Sequence, residues 1–141
     1  MIDFDNQTTV DVDSAIFEPI LEFLSDKDLE VLIVTDEEIA AINAQTRAKN
    51  TPTDVLSFPL EDVPHTMILG TIVISIDHVV KLAKALGHTQ DDECRLLFLH
   101  GLLHLLGYDH ETDDGEMRSK EAEIISHFNL PKSLIIRTEE S

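Results

Sequence analysis

The segment FLHGLLHLLGYDHE, residues 98–111, constrains the fold of this chain more than any other stretch. Its apolar residues predict a helix that ends at Gly107. On that helix His100 and His104 are one turn apart, so both imidazoles project from the same face. Gly107 lets the chain leave the helix and turn back, because glycine adopts backbone conformations that other residues resist. The turn can bring His110 towards the other two histidines.

The spacing of these histidines, H-x-x-x-H-x-x-G-x-x-H, matches the ligand spacing of the metzincin zinc proteases. Three neutral imidazoles suit Zn²⁺, with nickel, copper and iron as competitors. Three protein ligands leave one coordination position open, which is typical of a catalytic zinc site. In metzincins the residue after the first histidine is a glutamate that acts as general base, whereas this chain has Gly101. The pattern therefore predicts a metal site but not a peptidase.

Strand and helix signals alternate in the first half of the chain, and helices dominate the second half. Strands are expected at residues 29–34, 54–60 and 69–76. Helices are expected at residues 13–24 and 36–47, from a cap at Asp77 to Leu86, from Thr89 or Asp91 to Gly107, and from about Asp114 to Phe128. This order predicts one α/β or α+β domain over residues 1–141, with a small sheet and about five helices. The tail, residues 132–141, is a candidate for disorder.

The composition limits the possible partners. The chain carries 28 acidic and 10 basic residues, a net charge of −18, so any contact with nucleic acid must depend on a local basic patch. The N-terminus lacks the basic and apolar regions of a secretory signal, and no apolar run approaches the ~20 residues that span a bilayer. A single cysteine, Cys94, fits a reducing compartment. We expect a soluble cytoplasmic protein.

Two blocks of sequence carry a family resemblance. HGLLHLLGYDH, residues 100–110, resembles the signature of the YbeY family, the metal-dependent ribosomal-RNA maturation endoribonucleases of bacteria. RAKNTPTDVLSFP, residues 47–59, resembles that family's arginine-containing segment. LGTIVIS, residues 69–75, and the approach to the histidine helix also fit. The resemblance covers the chain from about residue 29 to 128.

The resemblance implies an α/β fold with a small mixed sheet and a zincin-like metal-binding helix. It implies one Zn²⁺ per chain, held by His100, His104 and His110, although nickel or another divalent metal can serve. It also implies an endonuclease on single-stranded RNA in small-subunit ribosomal-RNA 3′-end maturation and ribosome quality control. Its partners would be ribosomal RNA and the ribosome or a ribosomal protein, without DNA or a membrane.

The family's functionally important arginine corresponds to Arg47. The planar guanidinium of Arg47 can hold two phosphoryl oxygens at once, and Lys49 can add a point charge. Ser57 either hydrogen-bonds substrate or is an ordinary strand serine. Asn50 and Thr71 stand where the family has aspartate, which leaves substrate preference and rate in question more than metal binding.

Two other functions stay open. One is a metallohydrolase acting on a peptide or small ester, which Gly101 disfavours for peptides. The other is a ribosome-assembly binding module with a structural zinc. That site would need a fourth ligand, but Cys94 lies six residues before His100 and points elsewhere on a helix. Asp109, within the histidine turn, is expected to shape the turn rather than to orient a ligand imidazole.

Overall fold

The computed structural model describes residues 2–47, 53–59, 68–109 and 112–131, and it describes Arg47 without its side chain. The strands are β1 (Ile2–Asn6), β2 (Asp28–Val34), β3 (Val55–Pro59) and β4 (Ile68–Ser75). The helices are α1 (Glu18–Leu24), α2 (Asp36–Arg47), α3 (Ile76–Leu86), α4 (Gln90–Leu105) and α5 (Glu116–Phe128), with a short 3₁₀ turn at Ser14–Ile16. The predicted tail, residues 132–141, lies outside the described residues.

The four strands form one mixed sheet in the order β1-β2-β4-β3. β1 and β4 both run parallel to β2, and β3 pairs with β4 in the antiparallel direction. Parallel neighbours need a long crossover connection, which α1 provides between β1 and β2. The predicted fold class, a small mixed sheet with about five helices, is confirmed.

The two faces of the sheet are covered unequally. On one face Val31, Ile33, Ile72 and Ile74 pack into the main core with buried residues of α1, α3, α4 and α5. The other face carries a smaller cluster, formed by Val34, Leu56 and Val73 with Ile39 of α2. This alternation follows from the strand period of two residues. The histidine helix therefore belongs to the larger core.

Helix α4 lies at the centre of that core. Ten of its residues are buried, and it contacts both β3 and β4 as well as α1, α3 and α5. A helix that is apolar on nearly all sides has to be enclosed in this way. Its predicted start is confirmed, since the side chain of Thr89 accepts a hydrogen bond from the Asp92 backbone N–H at 3.0 Å.

Helices α2 and α3 start side by side, at the carboxyl ends of β2 and β4. Asp77 was the predicted cap of α3, and this is wrong, because Ser75 is the N-cap and accepts from the His78 N–H. Asp77 accepts the backbone N–H of Asp36 at 2.7 Å instead. The Asp36 carboxylate accepts hydrogen bonds from the Ser75 hydroxyl and from His78 Nδ1, both at 2.6 Å. Each helix start is thus capped partly by the other.

These contacts set the acidity of Asp36. Burial raises the pKa of the Asp36 carboxyl, but the hydrogen bonds from Ser75 and His78 and the charges of His78 and Lys81 outweigh burial. The pKa of Asp36 therefore lies below its ordinary value of 3.8.

Several other features differ from the sequence prediction. β1 was not predicted at all. The helix expected at 13–24 is divided into the 3₁₀ turn and α1, and the second residue of α1 is Pro19, which has no N–H to extend an earlier turn. Helix α5 begins at Glu116, two residues after the predicted start. The predicted end of α3 is confirmed, since Gly87 closes it in the left-handed conformation with φ 76°.

None of the described helices has the length and apolar character needed to cross a membrane.

Candidate metal centre

His100 and His104 lie in the last two turns of α4 and face each other. Their Nε2 atoms are 3.3 Å apart. The ring centroids are separated by 4.8 Å, and the ring planes are nearly perpendicular, at 82°. Both side chains are partly buried. The predicted convergence of these two imidazoles, one turn apart on a helix, is present in the structure.

The backbone turn after α4 decides which nitrogen of His104 carries hydrogen. Gly107 has φ 101°, a left-handed conformation that reverses the chain. The reversal places the Tyr108 carbonyl 3.0 Å from His104 Nδ1. A carbonyl oxygen only accepts hydrogen bonds, so Nδ1 of His104 must donate. In the neutral ring, Nε2 of His104 is then left with a lone pair.

Helix α5 determines which nitrogen of His100 carries hydrogen. The Glu121 carboxylate oxygen Oε2 lies 3.2 Å from His100 Nδ1, and the Glu121 side chain is only 1% exposed. An ionised carboxylate also only accepts, so Nδ1 of His100 donates. Neutral His100 therefore directs a second lone pair from Nε2 towards His104.

Two lone pairs that face each other at 3.3 Å do not form a hydrogen bond, but they fit a shared cation. Zinc binds imidazole nitrogen at ~2.0–2.1 Å with tetrahedral angles, which separates two such nitrogens by about 3.3–3.4 Å. The distance between the two Nε2 atoms matches this spacing. Within the described ranges no three histidine, cysteine, aspartate or glutamate side chains group around one point. The predicted third ligand, His110, lies outside those ranges.

Gly101, next to His100, packs directly against the sheet. A Cβ at Gly101 would lie 3.1 Å from Cγ2 of Ile72 in β4, a distance tighter than ordinary van der Waals contact. The metzincin glutamate is absent here, and any side chain at this position would have to displace Ile72 by a few tenths of an ångström. The packing of α4 on β4 thus supports the sequence argument against a peptidase.

The other predicted site residues are placed less completely. Arg47 is the last residue of α2, while its side chain, Lys49 and Asn50 lie outside the described part of the chain. Ser57 is a partly buried residue of β3. It lies opposite Ile72 in the register with β4, so it is on the sheet face that α4 covers. Thr71 lies on β4, where its hydroxyl donates to Glu30 at 3.0 Å.

Asp109 lies in the turn after α4, and the structural role predicted for its side chain stays a prediction. Its backbone carbonyl accepts the N–H groups of Thr112 and Asp113 at 3.2 and 3.0 Å. His88 lies in the connection between α3 and α4. Its side chain is 13% exposed, and Nε2 lies 2.6 Å from Oε1 of the buried Glu93. His65 lies outside the described residues.

Sequence reasoning did not find the two groups that hold the imidazoles, the Tyr108 carbonyl and Glu121. The side chain of Tyr108 packs against the main core, and only its backbone carbonyl contacts His104. A signal for Glu121 exists in α5. Met117 and Ile124 are buried, and Glu121 falls between them at helical spacing, on the core-facing side. A glutamate at such a position indicates a buried polar contact.

Comparison with known proteins gives a consistent result. The family model described as Endoribonuclease YbeY matches residues 3–129. An Endoribonuclease YbeY of Nautilia profundicola is 60% identical over 140 residues, covering 99% of this chain and 100% of that protein. That of Campylobacter jejuni strain RM1221 is 54% identical over 121 residues, covering 86% of this chain and 90% of the relative.

A solved structure has the same fold. The solution structure of TM1509 from Thermotoga maritima matches with a TM-score of 0.61 and 30% identity, and the match covers 92% of each chain. Both the sequence and the fold comparisons confirm the resemblance that the histidine segment and residues 47–59 indicated. The chain belongs to the Endoribonuclease YbeY family.

Proposed function

We propose that this protein is a zinc-dependent endoribonuclease that cleaves single-stranded RNA, and that its substrate is the 3′ end of small-subunit ribosomal RNA. One observation carries the metal part of the proposal. The lone pairs of His100 and His104 converge at a distance that a tetrahedral metal ion fits. The family supports the RNA part, since relatives at 50–60% identity are named as endoribonucleases.

The metal would be held by His100 and His104 together with His110, one ion per chain. Three imidazole ligands favour zinc, and nickel or another divalent metal is the competitor. A bound divalent metal supplies Lewis-acid chemistry for phosphodiester hydrolysis. The Tyr108 carbonyl and Glu121 hold the two described imidazoles in the tautomer that this role needs.

The chain's own groups bind and orient the RNA in this proposal. Arg47 grips two phosphoryl oxygens through its planar guanidinium and stabilises the charge that develops on them. Lys49 adds a second positive charge. Ser57 is on the sheet face against which the histidine helix packs, which supports a hydrogen bond from its hydroxyl to substrate.

The strong negative charge of the chain supports a further part of the proposal, a ribosomal partner. With 28 acidic residues against 10 basic ones, the protein has few groups that can attract phosphate. A ribosome or ribosomal protein then supplies the specificity that the isolated chain lacks. We further propose that the protein acts in the cytoplasm, where ribosomes are assembled.

The experiment measures bound metal and RNA cleavage together, on protein purified without added metal. Wild type, His104→Ala and Arg47→Ala are assayed on ribosomal RNA, on a short single strand and on the matching duplex. We expect one zinc per wild-type chain and cleavage of the single strand only. His104→Ala should lose both zinc and cleavage, whereas Arg47→Ala should keep zinc and lose cleavage.

An exposed lysine, Lys27, provides the matched control for Arg47, since Lys27→Ala removes a cation from the turn before β2. Equal traces of cleavage in wild type and in both site variants would identify a contaminating nuclease and contradict the proposal. Full zinc content in His104→Ala would contradict the assignment of the ligands. An Arg47→Ala variant that unfolds would make Arg47 a structural residue.

A further inference from the structure

We propose that Glu121 is a positioning residue for the metal centre, acting through His100. It would fix the tautomer and orientation of the His100 ring and increase the basicity of Nε2. This inference rests on the proposed function, because it assumes that His100 binds the metal. Hydrogen bonds of this kind, from a ligand imidazole to a carboxylate, orient the ring and tune the metal.

The burial of Glu121 is the first observation. Its side chain is 1% exposed and lies on the core-facing side of α5, between the buried Met117 and Ile124. Removing a carboxylate from water is costly, and well-packed apolar residues often replace buried ionic groups without loss of stability. Stability alone is therefore a poor explanation for a glutamate here. A role at the neighbouring site explains it better.

The geometry is the second observation. The two nitrogens of an imidazole lie on different sides of the ring. Oε2 of Glu121 approaches Nδ1 of His100, while Nε2 of His100 faces His104. Glu121 thus lies on the far side of the ring from the point where the two Nε2 atoms converge. It acts through His100 and is not itself a ligand in this arrangement.

A third observation gives the proposal an internal control. Glu93, seven residues before His100 on the same helix, is also fully buried and also contacts a histidine, His88, at 2.6 Å. Seven helical residues correspond to about 10 Å along the axis. His88 lies in the connection between α3 and α4, outside the facing pair. Glu93 and Glu121 therefore share burial and partner type but differ in whether the partner belongs to the proposed metal centre.

The test compares Glu121→Gln, Glu121→Leu, Glu93→Leu and His104→Ala with wild type. Zinc affinity is measured by competition with a chelator, and the tautomer of His100 is measured in zinc-free protein from side-chain ¹⁵N chemical shifts. We expect Glu121→Leu to weaken zinc binding by about 10- to 100-fold and to shift His100 away from the Nδ1–H tautomer. Glu121→Gln, which keeps an acceptor but removes the charge, should lie between Glu121→Leu and wild type.

Glu93→Leu should change zinc affinity less than about twofold even where it lowers the unfolding temperature. The reason is that the histidine partner of Glu93 is His88, which is not one of the proposed zinc ligands. Wild-type affinity in both Glu121 variants, with binding lost in His104→Ala, would overturn the role of Glu121 alone. Wild-type affinity in His104→Ala would overturn the metal centre itself. Where Glu121→Leu does not fold, Glu121→Gln decides, and unchanged affinity and tautomer in Glu121→Gln then contradict the proposal.

Discussion

At the scale of single residues, the two imidazoles depend on partners at different distances along the chain. His100 and His104 are one helical turn apart, so the sequence predicted their convergence from local geometry alone. The partner of His104, the Tyr108 carbonyl, is also local. Glu121 is 21 residues from His100, and their contact exists only because α5 packs on α4. Sequence spacing predicts that the two imidazoles face each other, but it predicts neither partner, since the turn at Gly107 places the Tyr108 carbonyl and helix packing places Glu121.

Gly101 leads to a prediction about packing. Gly101→Val should lower the free energy of unfolding by about 1–3 kcal/mol, because the added methyl groups have to displace Ile72 from a close-packed core. Urea denaturation measures this difference. Ala85→Val, at an exposed position of α3, is the matched control and should change stability by less than about 1 kcal/mol. Unchanged stability in Gly101→Val would show that α4 moves away from the sheet without cost.

The single cysteine gives a second prediction at this scale. Burial, with the negative charges of Asp91 and Glu93, raises the pKa of the Cys94 thiol to about 12. The thiolate is the reactive species, so Cys94 should not react with iodoacetamide in the folded protein at pH 8. It should react fully in denaturant, as intact mass measured over time would show. Rapid modification of the folded protein would contradict the burial of Cys94.

At the scale of helices and strands, local signals gave most of the elements. The predicted bounds of α2, residues 36–47, agree with the structure, because three acidic residues open it after a buried strand. β1 was missed because it is only five residues long, although its buried Ile2 and half-buried Phe4 alternate with exposed aspartates. It is held by parallel pairing with β2, and such pairing between distant segments has no local signature. The capping of α3 by Ser75 was missed because Asp77 accepts a hydrogen bond from the start of α2 instead, and this contact between distant segments also has no local signature.

The shared start of α2 and α3 predicts a pH-dependent stability. The pKa of Asp36 is lowered, so the stabilisation it provides is present above its unfolded pKa, ~3.9, and is lost as pH falls through its lower folded pKa. Asp36→Asn should reduce the free energy of unfolding at pH 7. The carboxylate is 41% exposed, so solvent screening limits the loss to about 0.5–1 kcal/mol.

This loss should be present in full at pH 5, should begin to shrink below the unfolded pKa of ~3.9, and should vanish below the lower folded pKa, where the wild-type carboxyl is neutral as well. Urea denaturation of both proteins at each pH measures it. Asp26→Asn, in an exposed turn, serves as the control. A difference that grows as pH falls would mean that Asp36 is stabilising in its protonated form.

At the scale of the whole molecule, charge is the property that most restricts function. Two of the described cations form ion pairs with acids: Arg95 pairs with Asp92 at 3.0 Å, and Lys120 pairs with Glu123 at 2.8 Å. Composition predicted this scarcity correctly, but composition does not locate the few cations that face a substrate. In the proposed function those are Arg47 and Lys49.

Binding of single-stranded RNA to zinc-free protein, which by the proposed function does not cleave it, should therefore be weak and should depend only moderately on salt. Two phosphate contacts correspond to a slope of about −1.4 in a plot of log affinity against log salt concentration, and Arg47→Ala should reduce the slope by about 0.7. Fluorescence anisotropy measures both values, with Lys27→Ala as the control that leaves the slope unchanged. A slope steeper than about −4 would reveal a basic surface elsewhere.

The central position of α4 also bears on how the protein folds as it is synthesised. All four strands precede α4 in the chain, so every strand of the sheet is available once residue 75 has left the ribosome. One face of that sheet, with Val31, Ile33, Ile72 and Ile74, would then have only α1 to pack against, because α3, α4 and α5 are not yet made. The sheet gains its stability only when the histidine helix covers it. The helix that carries His100 and His104 is thus also the helix that completes the core. An intermediate without this helix would lack both the candidate metal centre and the contacts that stabilise the sheet.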